Sequence, residues 1–148
     1  MPGETLMLTI RTAAFAILAA TALAGTLASA APRETVLTAK LTGRAETPAA
    51  AVNGTGKFKG RVNLAAGKLC YTLTSARLDS LTMAHIHAGA IGVAGPPVVT
   101  LSANVPTEAC IPIDKDVAVK LVARPRDFYV NIHTTNYPKG AVRGQLAK

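Results

Sequence analysis

From residue 35 onward, apolar and polar residues alternate with a period of two over one short stretch after another, and Gly, Pro and Asn separate the stretches. An extended strand turns successive side chains to opposite faces, so this pattern predicts an all-β chain. Residues 35–42 are the first predicted strand, and 43–55 a loop holding Pro48 and the turn pair Asn53-Gly54. Residues 57–64 and 68–76 read as a hairpin across Ala65-Ala66-Gly67. Its second arm sets Leu69, Tyr71 and Leu73 on one face and Cys70, Thr72 and Thr74 on the other. The first set is the more apolar, but a bridged Cys70 also wants cover, so the pattern leaves the buried face open. Further strands are predicted at 81–87, 98–101, 110–113, 117–123, 128–134 and 141–146. The last is entered through Tyr137-Pro138-Lys139-Gly140, whose proline second and glycine fourth suit a type I turn. No stretch carries sustained helical periodicity with caps at both ends. Eight or nine short strands in about 110 residues predict a two-sheet β-sandwich or flattened barrel with Greek-key connections.

The N-terminal stretch breaks this pattern. Arg11 precedes an apolar run over 12–27, and the small-residue box Ala28-Ser29-Ala30 follows, the layout of a secretory signal peptide over residues 1–30. A membrane anchor is the competing reading. The run is barely long enough to span, however, is mostly alanine, and is interrupted by Thr21, Gly25 and Thr26. The expected product is residues 31–148, one β domain, secreted or periplasmic, with no stable membrane insertion after the leader is removed. Its two cysteines, Cys70 and Cys110, are an even pair in a chain bound for an oxidising compartment, and a disulfide is expected. Closing that loop stabilises by about 4 kcal/mol in the chain-entropy model. Thiol ligation of a metal is the alternative, without a Cys-x-x-Cys spacing to support it.

The formal charge is +8, and Glu4 and Arg11 of the leader cancel, so the mature domain keeps it. The basic residues are dispersed, and few aromatic residues accompany them, which argues against nucleic-acid binding. The nearest thing to a pattern is Lys57, Lys59 and Arg61 on one face of a strand, expected as a charged row that resists edge pairing. The functional alternative is attraction to an anionic lipid or polysaccharide surface. Gly89, Gly92 and Gly95 are spaced by three, but Pro96-Pro97 and a strand follow where a dinucleotide site needs a helix. That segment is expected to be a tight surface loop, placed to wall a site beside His87.

All three histidines fall in two predicted strands, in Ala84-His85-Ile86-His87-Ala88 and in Val130-Asn131-Ile132-His133-Thr134. His85 and His87 share a face opposite Ile86, and Asn131 and His133 share a face opposite Ile132. Two imidazoles at i and i+2 on one rigid strand, with a third delivered from elsewhere, match the donor sets that bind zinc or copper. The plainer reading is three half-buried rings hydrogen-bonded to backbone or to Asn131, Thr134 or Arg143. Asn131 either satisfies backbone or orients a ligating ring. Arg143 either pairs with a carboxylate on a neighbouring strand or neutralises an anion near the site.

The chain resembles the CHRD domain, first described in chordin and found in many exported bacterial proteins. The resemblance rests on His85-Ile86-His87-Ala88-Gly89, Gly95-Pro96-Pro97-Val98-Val99, Tyr129-Val130-Asn131-Ile132-His133-Thr134 and Pro138-Lys139-Gly140-Ala141-Val142-Arg143-Gly144-Gln145-Leu146, in the family's order. It implies an immunoglobulin-like β-barrel related to copper-zinc superoxide dismutase, and no general biochemical activity is established for the family. Chordin's growth-factor binding resides largely in separate cysteine-rich modules that this chain lacks, so it does not carry over. The dismutase's dinuclear site also uses more histidines and an aspartate, and three histidines do not rebuild it.

Three functions follow as expectations. One is an exported non-catalytic module binding copper or zinc through His85, His87 and His133. Another is an extracellular structural or protein-interaction domain whose histidines only support the fold. The weakest is a small redox or hydrolytic metalloenzyme, because hydrolysis at a metal-bound water calls for a nearby general base and neither motif contains Glu or Asp.

Overall fold

The computed structural model describes residues 34–148 apart from Val52. The leader expected over residues 1–30 lies outside the described residues. Eight strands appear: β1 (Glu34–Thr42), β2 (Thr55–Asn63), β3 (Lys68–Ala76), β4 (Leu81–Ala88), β5 (Pro97–Leu101), β6 (Val105–Pro112), β7 (Phe128–Thr134) and β8 (Val142–Gln145). They form one antiparallel sheet in the order β5-β4-β7-β8-β1-β2-β3-β6. The all-β expectation holds. The arrangement is one continuous sheet that curls on itself as a flattened half-barrel, with β5 and β6 as its edges.

Period-two alternation decides which way each strand faces. Leu37, Ala39 and Leu41 of β1, Phe58 and Val62 of β2, and Leu69, Tyr71 and Leu73 of β3 point into the curl. Ala84 and Ile86 of β4, Val99 and Leu101 of β5, Val130 and Ile132 of β7 and Val142 of β8 meet them there. Leu69, Tyr71 and Leu73 are therefore the buried face of β3. Cys70 points outward but is covered by its disulfide to Cys110, its register partner on edge strand β6. The expected bridge is present, and these sulfurs are bonded to each other.

One expected strand is a helix instead. Residues 117–123 lie within α1 (Lys115–Ala123), between β6 and β7. Ala118 and Leu121 are fully buried in the common core, with Val117 and Val122 packed beside them. Those four positions are spaced i, i+1, i+4 and i+5, a helical stripe. Asp114 caps the helix by accepting from the backbone N–H groups of Asp116 and Val117 at 2.9 and 3.0 Å. Strand β6 also begins at Val105, five residues ahead of the expected 110.

The row Lys57, Lys59 and Arg61 faces outward, but β2 lies between β1 and β3, so the row protects no edge. Lys57 sits directly opposite Lys40. Arg61 instead finds carboxylates, Glu108 at 2.6 Å and Glu34 at 3.6 Å.

Candidate metal centre

On the outer face of the sheet, the register of β4 against β7 sets Met83 opposite His133, His85 opposite Asn131 and His87 opposite Tyr129. The register of β7 against β8 adds Arg143 opposite Asn131 and Gln145 opposite Tyr129. An outer face is ordinarily wet, yet Tyr129, Asn131, His133, His87 and Arg143 are all buried, and only His85 of the histidines keeps partial exposure. Three loops supply the cover. From the loop after β4, the Gly95 carbonyl meets His87 Nδ1 at 2.8 Å, the Val93 carbonyl accepts from Arg143 Nη1 at 3.0 Å, and the Gly89 carbonyl accepts from Gln145 Nε2 at 2.7 Å. From the turn after β7, the Pro138 carbonyl meets His133 Nδ1 at 3.0 Å. From the loop after β1, Glu46 brings Oε2 to 3.0 Å from Arg143 Nε, an ion pair buried on both sides.

These contacts fix the imidazole tautomers. A carbonyl oxygen only accepts, so Nδ1 of His87 and Nδ1 of His133 carry their hydrogens. In the neutral rings both Nε2 atoms are then lone-pair donors. His133 Nε2 stands 3.1 Å from His85 Nδ1. His87 Nε2 is buried without a hydrogen-bond partner, as is Asn131 Oδ1. The three rings offer nitrogens that all lie within 4.8 Å of one another. Two nitrogens each 2.0–2.1 Å from one tetrahedral ion stand about 3.4 Å apart, so the cluster holds a metal after small ring movements and the loss of the hydrogen that His85 Nδ1 donates to His133 Nε2.

Charge on His85 and His133 is disfavoured. Burial lowers the His85 pKa below its ordinary 6.5, and the neighbouring His133 and His87 lower it further. Burial also lowers His133, partly opposed by its bond to the Pro138 carbonyl, with His87 adding to the fall. Both rings are thereby kept in the neutral form a metal requires. Burial pushes the Glu46 carboxyl up to about 7, with the Arg143 charge acting in the opposite sense.

The structure brings His85, His87, His133, Asn131 and Arg143 onto one face; the period-two pattern implies only that His85 shares a face with His87 and Asn131 with His133. Arg143 pairs with a carboxylate from a loop, where a neighbouring strand was the expectation. Sequence reasoning passed over Tyr129, whose ring stacks on His87 at 4.9 Å and 8°. Its position four residues before His133 on the same strand face was the available signal. Glu46 carried none, because its place depends on how the loop folds back.

Comparison with curated proteins and with solved structures finds no match. Residues 37–146 match the family model of the CHRD domain, a span that takes in Glu46, both histidine motifs and Gln145, and the chain belongs to the CHRD domain family.

Proposed function

We propose that this chain is an exported, non-catalytic binding module that takes copper or zinc through His85, His87 and His133. The observation that carries the reading is the orientation of the imidazoles. Backbone carbonyls hold Nδ1 of His87 and His133, leaving both Nε2 atoms as donors beside His85 Nδ1. A buried nitrogen without a partner, as at His87 Nε2, costs about 1–3 kcal/mol and calls for a reason. Carbonyl bonds to the far nitrogen of a ligating histidine are also what fixes its tautomer at metal sites generally. Export is supported by the disulfide and by the leader-like composition of residues 1–30. A non-catalytic role is supported by the cluster's composition, three imidazoles with no carboxylate among them to serve as a base.

A second reading, that the histidines only support the fold, draws on the same bonds, since His87 and His133 tie two loops to the sheet. Calorimetric titration of the oxidised protein with copper(II) and zinc(II), beside the His85→Ala, His87→Ala and His133→Ala variants, separates the two. One-to-one binding lost in every folded variant is the expected result. Absence of binding in the wild type, with all three variants less stable, overturns the metal reading in favour of the second.

A further inference from the structure

The outer face of β4 carries one more donor than the three imidazoles. Met83, His85 and His87 stand at i, i+2 and i+4 on that strand, and Met83 is the direct register partner of His133. Residues directly opposite in an antiparallel pair hold their Cβ atoms about 4.5–5.5 Å apart. Met83 is thus adjacent to His133 across the strands and to His85 along its own. It is also 47% exposed, an apolar side chain left on the surface next to a largely buried polar cluster. The covered sides of the cluster lie at His87, under Tyr129 and the Gly95 carbonyl, and at His133, under the Pro138 carbonyl. The exposed side lies at His85, the side on which Met83 stands.

We propose that the Met83 thioether is a fourth ligand that makes this a copper(I) site, while zinc(II) is held by the three histidines alone. The proposal rests on the three-histidine reading above. A thioether sulfur is a soft donor that selects copper(I) and adds little for zinc(II). Methionine has the side-chain torsions to swing its sulfur over the neighbouring rings, and a half-exposed position leaves it room to do so. The arrangement implies a ligand that folds onto the ion from the open side after the imidazoles have engaged it.

The test measures copper(I) and zinc(II) affinities of the full oxidised chain by competition with chromophoric chelators, without oxygen for copper(I), in wild type, Met83→Leu and His133→Ala. Leucine conserves volume at a surface position and leaves the fold intact. Met83→Leu is expected to lower copper(I) affinity by no less than the roughly tenfold that loss of a partner outside the ligand shell usually costs, and to leave zinc(II) affinity unchanged. The methyl NMR signal assigned to Met83 by its loss in that variant is expected to shift when copper(I) is added to wild type. Unchanged copper(I) affinity in Met83→Leu and an unmoved methyl signal, with binding still lost in His133→Ala, would overturn the thioether and leave the three-histidine site standing. A wild type that binds neither metal would overturn both.

Discussion

The guanidinium of Arg143 lies over the ring of Tyr129, its Cζ 4.5 Å from the ring centre. Tyr129 in turn stacks in parallel on His87. Arg143 also donates to the Val93 carbonyl, in the same loop whose Gly95 carbonyl meets His87 Nδ1. Two routes therefore run from the Glu46–Arg143 ion pair to one imidazole, through the stack and through the loop.

Replacing Arg143 by Met cuts both routes. It also removes the two largest effects that favour the charged form of Glu46, so that carboxyl takes up a proton. The cost stays below the ~3–5 kcal/mol of a buried pair broken with its remaining charge intact. A loss of about 1.5–3 kcal/mol in urea unfolding is expected, the range for a hydrogen bond to a charged group. Metal affinity is expected to fall by roughly 10–100-fold, as when the groups that orient a ligating histidine are lost. Lysine at this position would not restore it, because an ammonium has no planar face to lay on Tyr129. If calorimetry finds wild-type affinity in a folded Arg143→Met protein, the stack does not position His87.

Acid and base act on this site in opposite directions. His85 and His133 have folded pKa values below 6.5, so the unfolded chain binds more protons once the pH drops under that value. Their contribution to stability is present above 6.5 and lost as the pH falls. Glu46 is raised from 4.5 to about 7, so its contribution is present below 4.5 and lost as the pH rises through about 7. Between 4.5 and 6.5 the two partly cancel in the metal-free wild type. Glu46→Gln removes one of them. Its stability is expected to fall more steeply than wild type from pH 6.5 toward 5, and to gain on wild type from pH 5 to 8. Urea unfolding across that range checks this, and parallel profiles would show that Glu46 does not titrate there.

The parts of this molecule that could be read from the chain are those set by local periodicity. Strand β7, the face shared by Asn131 and His133, the face shared by His85 and His87 and the grouping of Leu69, Tyr71 and Leu73 follow from alternation alone, whereas which of those faces turns inward is set by how the sheet curls. Helix α1 escaped because a short run of Val, Ala, Lys and Leu satisfies either period, and the deciding signal was the single cap at Asp114. The loop holding Val93 and Gly95 was legible as a wall beside His87, but the contacts made by Glu46, Val93, Gly95 and Pro138 escaped for a different reason. Each acts from a loop, three of them through a backbone carbonyl, and a carbonyl carries no residue identity for a motif to show.

Gly95 offers the most direct probe of that loop cover. A Cβ built on it would fall on the carbonyl oxygen of Ala88, backbone that cannot swing away, so alanine there must push the loop off the end of β4. That shift strains the bond from the Ala88 N–H to the Pro96 carbonyl and withdraws the Gly95 carbonyl from His87 Nδ1. Gly95→Ala is expected to cost about 1–3 kcal/mol, as overpacking does. It is also expected to lower copper or zinc affinity by roughly 10–100-fold, because His87 loses the contact that fixes its tautomer. Gly92→Ala is the control in the same loop. Gly92 has φ of 78° and open space where its Cβ would go. Alanine there pays only the left-handed backbone penalty, about 1–2 kcal/mol, and leaves Gly95 in place. Stability losses of similar size with a fall in affinity confined to Gly95→Ala would assign the effect to the carbonyl on His87. Equal losses of affinity in both variants would assign it to loop stability alone.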